Sequence, residues 1–277
     1  MIFRKRTIPD EEIMTLKEQR SMLGDQLNFA AAEAYKLLRA NLTFSLPDEQ
    51  KCRVVGVTSA VRGEGKSTTS INLAYTLAET GKRVLLVEAD MRRPQLAHRL
   101  AIDAAPGLSN LLAGLCREKD VVQDVGLLEN MKVITSGDVP PNPSELLGSE
   151  RMSSVVETLA QSFDFIIFDL PPVNAVSDGL VVSRFIQGMI VVVRQDYSDR
   201  QGLSAALRQL EYMHIKVLGF VMTHSSISGG RYGRYGRYGR YGRYGQYGRY
   251  ESESRETGAD QERARKTGSA KSRKSKR

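Results

Sequence analysis

Residues 53–81, RVVGVTSAVRGEGKSTTSINLAYTLAETG, run from a short apolar stretch through a glycine-rich turn into a helical pattern. Few chains satisfy that order unless a buried strand feeds a phosphate-binding loop at the start of a helix. The pattern G-x-x-x-x-G-K-S/T is met with Ala60 in the first glycine position, then Gly65, Lys66 and Ser67. Gly63 and Gly65 let backbone amides turn inward, and the helix adds the positive end of its dipole. The predicted nucleotide set is Gly63, Glu64, Gly65, Lys66, Ser67 and Thr68, with Lys66 reaching the β- and γ-phosphates of ATP and Ser67 ligating Mg²⁺.

Two acidic motifs follow. LLVEADMRRP ends an apolar run with Glu88, Asp90 and Arg92, and FIIFDLPP ends another with Asp169. A carboxylate at the end of such a run is expected to serve chemistry rather than the core. Asp169 is predicted to hold Mg²⁺, through water, with Ser67 and Asp90 completing the metal set. Glu88 or Asp90 is the candidate acceptor of an incoming hydroxyl proton. The predicted catalytic set is Lys66, Glu88, Asp90, Arg92 and Asp169.

The rest of the body reads as alternation. Predicted strands cover 53–58, 83–88, 132–135, 164–168, 189–194 and 217–222. Predicted helices cover 11–23, 28–42, a stretch from about 67 closed by Gly81, 143–161, 179–186 and 200–213, and GLSNLLAG reads as helix and loop. Short, continuously apolar strands between helices imply an α/β fold of the P-loop type: a mainly parallel sheet covered on both faces. Ligands bind such sheets at the carboxyl ends of the strands. Ser144 is expected to cap the helix in PPNPSELL. Tyr35, Tyr75, Tyr197 and Tyr212 are expected to pack, while His98, His214 and His224 lack metal-ligand spacing. Cys52 and Cys116 read as reduced structural cysteines.

Seven tyrosines, Tyr232, Tyr235, Tyr238, Tyr241, Tyr244, Tyr247 and Tyr250, recur every three residues in an Arg-Tyr-Gly repeat. Period three fits neither a strand face nor a helix face, and the repeat has no aliphatic residue to bury. Disorder is expected, with polyproline II character that would present the tyrosines about 9 Å apart. Residues 229–277 hold 15 Lys+Arg and 5 Asp+Glu, a net of +10, whereas the remainder holds 25 and 27, a net of −2. The basic balance therefore belongs to the tail. Seven phosphotyrosines would bring about −10 to −14 and cancel or invert it. The bland alternatives are a solvated basic tail, an arm for nucleic acid or one for anionic lipid. The near-neutral body offers no basic groove by composition, so no specific nucleic acid is expected.

Together GEGKST (63–68), EADMR (88–92), FIIFDLP (165–171) and the tyrosine cluster resemble the bacterial protein-tyrosine kinases, over about residues 30–250. The spacing of Glu33, Lys36 and Arg39 resembles that family's N-terminal assembly motif. The resemblance implies an ATP- and Mg²⁺-dependent kinase that phosphorylates its own tyrosine cluster within a ring. It implies a soluble, split form, cytoplasmic and recruited to the membrane by an adaptor whose tail activates it. A cognate tyrosine phosphatase and a role in capsular or extracellular polysaccharide synthesis and export are implied too. Departures are Glu88 for Asp, Lys36 for Arg, Arg62 where Pro is common, and no Asn near Thr223. The expected division is 1–50 helical extension, 51–225 kinase domain and 226–277 tail. The competing reading is an ATPase switch of the MinD/ParA class with a basic binding tail. That class carries a signature Lys where this chain has Val61, and the reading leaves the tyrosine run unexplained.

Overall fold

A computed structural model describes residues 22–46 and 51–225. The tyrosine cluster, the basic tail and most of the helix expected over 11–23 lie outside the described residues. Helix α1 spans Phe29–Ser45, entered from Asn28, whose side chain accepts the Ala31 amide. Strand β1 (Arg53–Ser59) leads through the glycine-rich loop to α2 (Lys66–Ala78), then β2 (Val84–Glu88). Three short helices follow: α3 (Leu96–Leu100), α4 (Leu108–Leu112) and α5 (Glu118–Val121). Strands β3 (Gln123–Asp124) and β4 (Met131–Ile134) precede α6 (Pro143–Leu147) and α7 (Glu150–Ser162). The chain then forms β5 (Phe165–Asp169), α8 (Asp178–Val182), β6 (Gly188–Arg194), α9 (Arg200–Tyr212) and β7 (Val217–Thr223).

The seven strands stand in the order β3-β4-β2-β5-β1-β6-β7. All pairs are parallel except β3 with β4. Successive side chains point to opposite faces, so an unbroken apolar strand supplies two cores at once. Val84, Leu86, Phe165 and Ile167 face one core, which α1, α2 and α3 close through Leu42, Ile71 and Leu96. Leu85, Val87, Ile166 and Phe168 face the other, closed by α4, α6, α7, α8 and α9 through Leu111, Leu147, Val155, Val182 and Leu210. Each fully buried Leu, Ile or Phe contributes about 1.5–3 kcal/mol relative to its exposed state.

Cover fails at one edge. Phe220 and Met222, on one face of β7, are 55% and 61% exposed, so the two-sided cover expected of the whole sheet stops short there among the described residues. The helix expected over 143–161 is two helices. Gly148 ends the first, and the Ser149 side chain caps the second by accepting the Met152 amide. Ser144 lies within α6 and caps nothing; its hydroxyl is turned to Asp178. Tyr75 packs as expected, but Tyr212 is 84% exposed, because the stripe Ala206–Leu210 of α9 turns to the core and Tyr212 to the far side. Tyr197 is half-exposed, under the Arg194 guanidinium.

Candidate phosphate and carboxylate site

Strands β1, β2 and β5 end side by side, and pairing sets the register: Asp169 lies opposite Val57 on one side and Glu88 on the other. The phosphate loop therefore rises from β1 directly beside two carboxylate-bearing strand ends. Gly63 and Gly65 adopt φ of 76° and 94°, left-handed values that glycine takes at low cost. A Cβ on Gly65 would stand 3.1 Å from the Thr223 methyl. Gly65 is also the N-cap of α2, with no side chain over the first-turn amides. That cradle suits a tetrahedral anion.

The loop is braced from strands distant in sequence. Glu64 is fully buried. Its carboxylate accepts the Val61 amide at 2.9 Å and the Ser198 hydroxyl, and its carbonyl accepts the Thr223 hydroxyl at 2.8 Å. Arg194 donates to the Gly63 carbonyl at 3.0 Å. Glu64 thus belongs to the loop through its backbone, with its side chain serving as a strut. Arg194, Ser198 and Thr223 escaped the sequence reading. Their signal is positional only: they end or follow β6, which pairs with β1, and β7, which lies beyond β6.

Asp169 is buried, and its Oδ1 accepts the Ser70 hydroxyl at 3.1 Å. Burial pushes its pKa up, while the Lys66 charge and the Ser67 and Ser70 hydroxyls pull it down. Lys66, Ser67 and Asp169 are thereby brought together. Asp90 is half-buried two residues beyond β2 and accepts the Arg93 amide at 3.1 Å. Burial raises its pKa too, against that amide and the Lys66 and Arg62 charges. Among the described residues, no group of three or more His, Cys, Asp or Glu side chains is placed to hold a metal. A divalent cation here would complete its shell with hydroxyl, phosphate and water oxygens, as Mg²⁺ does.

Glu88, opposite Asp169, is engaged differently. It is the last residue of β2 and is buried. Oε1 accepts the Gln95 amide and, at 2.7 Å, that of Leu96; Oε2 accepts the Ser136 amide at 3.1 Å. Burial pushes its pKa up to about 7, the nearby Asp169 charge adding to this and the three amides opposing it. The expectation that a strand-end carboxylate has no core role fails here: Glu88 ties β2 to the start of α3 and the end of β4. Arg92 is turned to Asp178, with Nε–Oδ2 at 2.7 Å and Nη2–Oδ1 at 3.2 Å. Asp178 is fully buried and also accepts the Ser144 hydroxyl. Arg92 thus fastens the β2 loop to α6 and α8.

On α1, exposed Glu33 and Lys36 pair at 2.8 Å. Arg39 turns inward, donating to the Thr76 carbonyl at 2.6 Å and lying 3.8 Å from Glu79. The motif is therefore split between a solvated pair and a bolt onto α2. A separate cleft of about 540 Å³, lined in part by Arg184, His214 and Lys216, opens at the other ends of β6 and β7. It contains none of the residues above.

Comparison with known proteins gives the arrangement a context. The AAA domain family matches residues 52–218, more than half of the chain. Bacillus subtilis tyrosine-protein kinase YwqD is 34% identical over 197 residues, covering 71% of this chain and 82% of that protein. Tyrosine-protein kinase CpsD of Streptococcus pneumoniae is 35% identical over 203 residues, covering 73% and 88%. The solved kinase domain of Escherichia coli tyrosine kinase ETK superposes with a TM-score of 0.68 at 31% identity, covering 80% of this chain and 84% of that one. Among the described residues, no helix is long and apolar enough to cross a membrane.

Proposed function

This chain belongs to the bacterial tyrosine-protein kinases, and we propose that it transfers the γ-phosphoryl group of ATP to Tyr232–Tyr250 of a neighbouring copy. The observation that carries the reading is the meeting of Lys66, Ser67 and Asp169 beside the glycine cradle, with the Lys66 charge felt at Asp90. The residues fit MgATP: a cradle that a Cβ would fill, an N-terminal helix turn without a side-chain cap, and hydroxyl and carboxylate oxygens of the hardness Mg²⁺ requires. Gly63 to Thr68 would hold the phosphates, and Ser67 with Asp169 the metal. Bound, Mg²⁺ neutralises charge developing on the transferred phosphoryl oxygens.

The chain's own groups do the rest. Lys66 places a fixed positive charge at the cradle. Asp90, half-buried just beyond β2, takes the proton of the tyrosine hydroxyl. Glu88 is assigned to positioning rather than to the proton, because both of its oxygens are engaged by backbone amides. Arg92 positions the same loop through Asp178.

The basic repeat suits an acidic, ATP-loaded site in a second copy. Fifteen residues of flexible chain reach about 20–25 Å. Phosphorylation removes the tail's +10 charge and so weakens that engagement, which favours loosening of a ring assembled through Glu33, Lys36 and Arg39. Membership of the family supports an adaptor in the membrane as activator, recruitment to the inner membrane face, a tyrosine phosphatase as antagonist, and control of capsular or extracellular polysaccharide synthesis and export.

A mixing experiment tests transfer between copies. A Lys66→Met chain with its tail intact serves as acceptor, and an active chain with all seven tail tyrosines changed to Phe serves as donor. The proposal expects phosphate on the acceptor tail, at a rate rising with donor concentration. An acceptor that stays unmodified while the unaltered chain modifies itself would exclude transfer between copies.

A further inference from the structure

Arg99 is a charged side chain near the phosphate loop that the assignment above leaves without a task. It projects from α3, between the buried Leu96 and Leu100, into the space beside the first turn of α2. Its Nη1 donates to the Thr68 hydroxyl at 3.2 Å. Its Nε is enclosed and is one of two buried side-chain polar atoms without a hydrogen-bond partner among the described residues. Burial pushes the guanidinium pKa down, and the Asp169 carboxylate holds it up. A desolvated cation with an unspent donor is costly. Compensation has to come from negative charge close by.

We propose that Arg99 is a positioning residue of the phosphate site, a second cation behind Lys66 that fixes the Thr68 hydroxyl and strengthens the positive field at the start of α2. The inference rests on the reading of residues 63–68 as the nucleotide cradle. Thr68 lies in the helix turn whose amides face that cradle, so a charge held on its hydroxyl adds to the helix dipole at the place where phosphate would sit. Glu88 has a part in the placement: α3 starts at the Leu96 amide that Glu88 accepts, and Arg99 follows one turn later. Arg99 therefore acts through Thr68.

The test is Mg-ADP binding by calorimetry on full-length chains, together with the melting temperature without ligand. Arg99→Gln should weaken binding about tenfold or more, the scale of losing one charge-assisted contact. Arg99→Lys, which keeps the charge, should recover most of the affinity. Arg99→Met fills the space between Leu96 and Leu100 without charge; it should fold and still bind as weakly as Arg99→Gln. Wild-type affinity in Arg99→Met, with or without a changed melting temperature, would reduce Arg99 to packing and overturn the proposal. A Lys variant as weak as Arg99→Met would overturn the charge role. Lys66→Met is the separate control: if it binds Mg-ADP at full strength, the cradle itself is misread, whatever the Arg99 variants do.

Discussion

Replacing Glu88 with Gln separates an anchor from a base. Burial places the Glu88 pKa at about 7, against 4.5 for a free glutamate. A carboxyl whose folded pKa lies above its unfolded value binds its proton more tightly in the folded chain. Its contribution is therefore full below pH 4.5 and is lost as the pH rises through 7. Two and a half pH units at about 1.4 kcal/mol each amount to about 3 kcal/mol of stability lost by pH 8. Gln cannot ionise, so it escapes that loss. It does give up one acceptor: Oε1 still serves Gln95 and Leu96, but an amide nitrogen would face the Ser136 N–H, at a cost of about 1–3 kcal/mol that does not vary with pH. The difference in unfolding free energy, Gln variant minus native, should therefore climb by about 3 kcal/mol between pH 4.5 and pH 8, whatever its starting value. Urea unfolding at five or six pH values measures it, and groups common to both chains cancel. The Asp169 charge broadens the climb, since the two carboxylates repel. Phosphotransfer at pH 8 should survive in Glu88→Gln and fall about 10²–10⁴-fold in Asp90→Asn. Parallel stability profiles would refute the placement of Glu88, and an inactive, well-folded Glu88→Gln with an active Asp90→Asn would reverse the assignment of the base.

Two more perturbations follow from the same geometry. Gly65→Ala forces a Cβ into a left-handed conformation and against the Thr223 methyl 3.1 Å away; unfolding should be easier by about 1–2 kcal/mol and nucleotide affinity should drop further, whereas unchanged values for both would show the cradle to be looser than described. Arg92→Ala strips a bidentate partner from the fully buried Asp178, for a loss of about 2 kcal/mol, less than for a wholly buried pair because Arg92 is 41% exposed. Adding Asp178→Asn should restore part of it, and simple additivity of the two changes in a double-mutant cycle would remove Arg92 from its architectural role.

What could be read from the sequence was local. The phosphate loop, β1, β2 and β5 announce themselves because strand, glycine turn and helix start are adjacent in the chain, and an apolar run of five to seven residues buries both faces without help. The division of α6 from α7 was present as Gly148 followed by a capping Ser149, and was missed because the apolar pattern runs through it. The anchoring role of Glu88 was hidden for a different reason. Its motif position suggests chemistry, but its partner Ser136 lies 48 residues away and is brought in by the pairing of β2 with β4. The struts of the loop are more distant still: Ser198 reaches Glu64 across 134 residues and Arg194 reaches Gly63 across 131. No periodicity encodes such contacts; sheet order does. Arg99 was likewise hidden, lying in a five-residue helix that no pattern predicts and reaching Thr68 only because α3 packs on α2.

Phosphotransfer to the tail is tested most directly by intact mass of the purified full-length chain after incubation with ATP and Mg²⁺, with and without an added adaptor tail, followed by mapping of the modified residues. The account predicts a ladder of added phosphates reaching seven, confined to Tyr232, Tyr235, Tyr238, Tyr241, Tyr244, Tyr247 and Tyr250 and absent from Lys66→Met. Steady ADP release with no phosphate on any tyrosine in either condition would contradict it and leave the repeat as a binding arm.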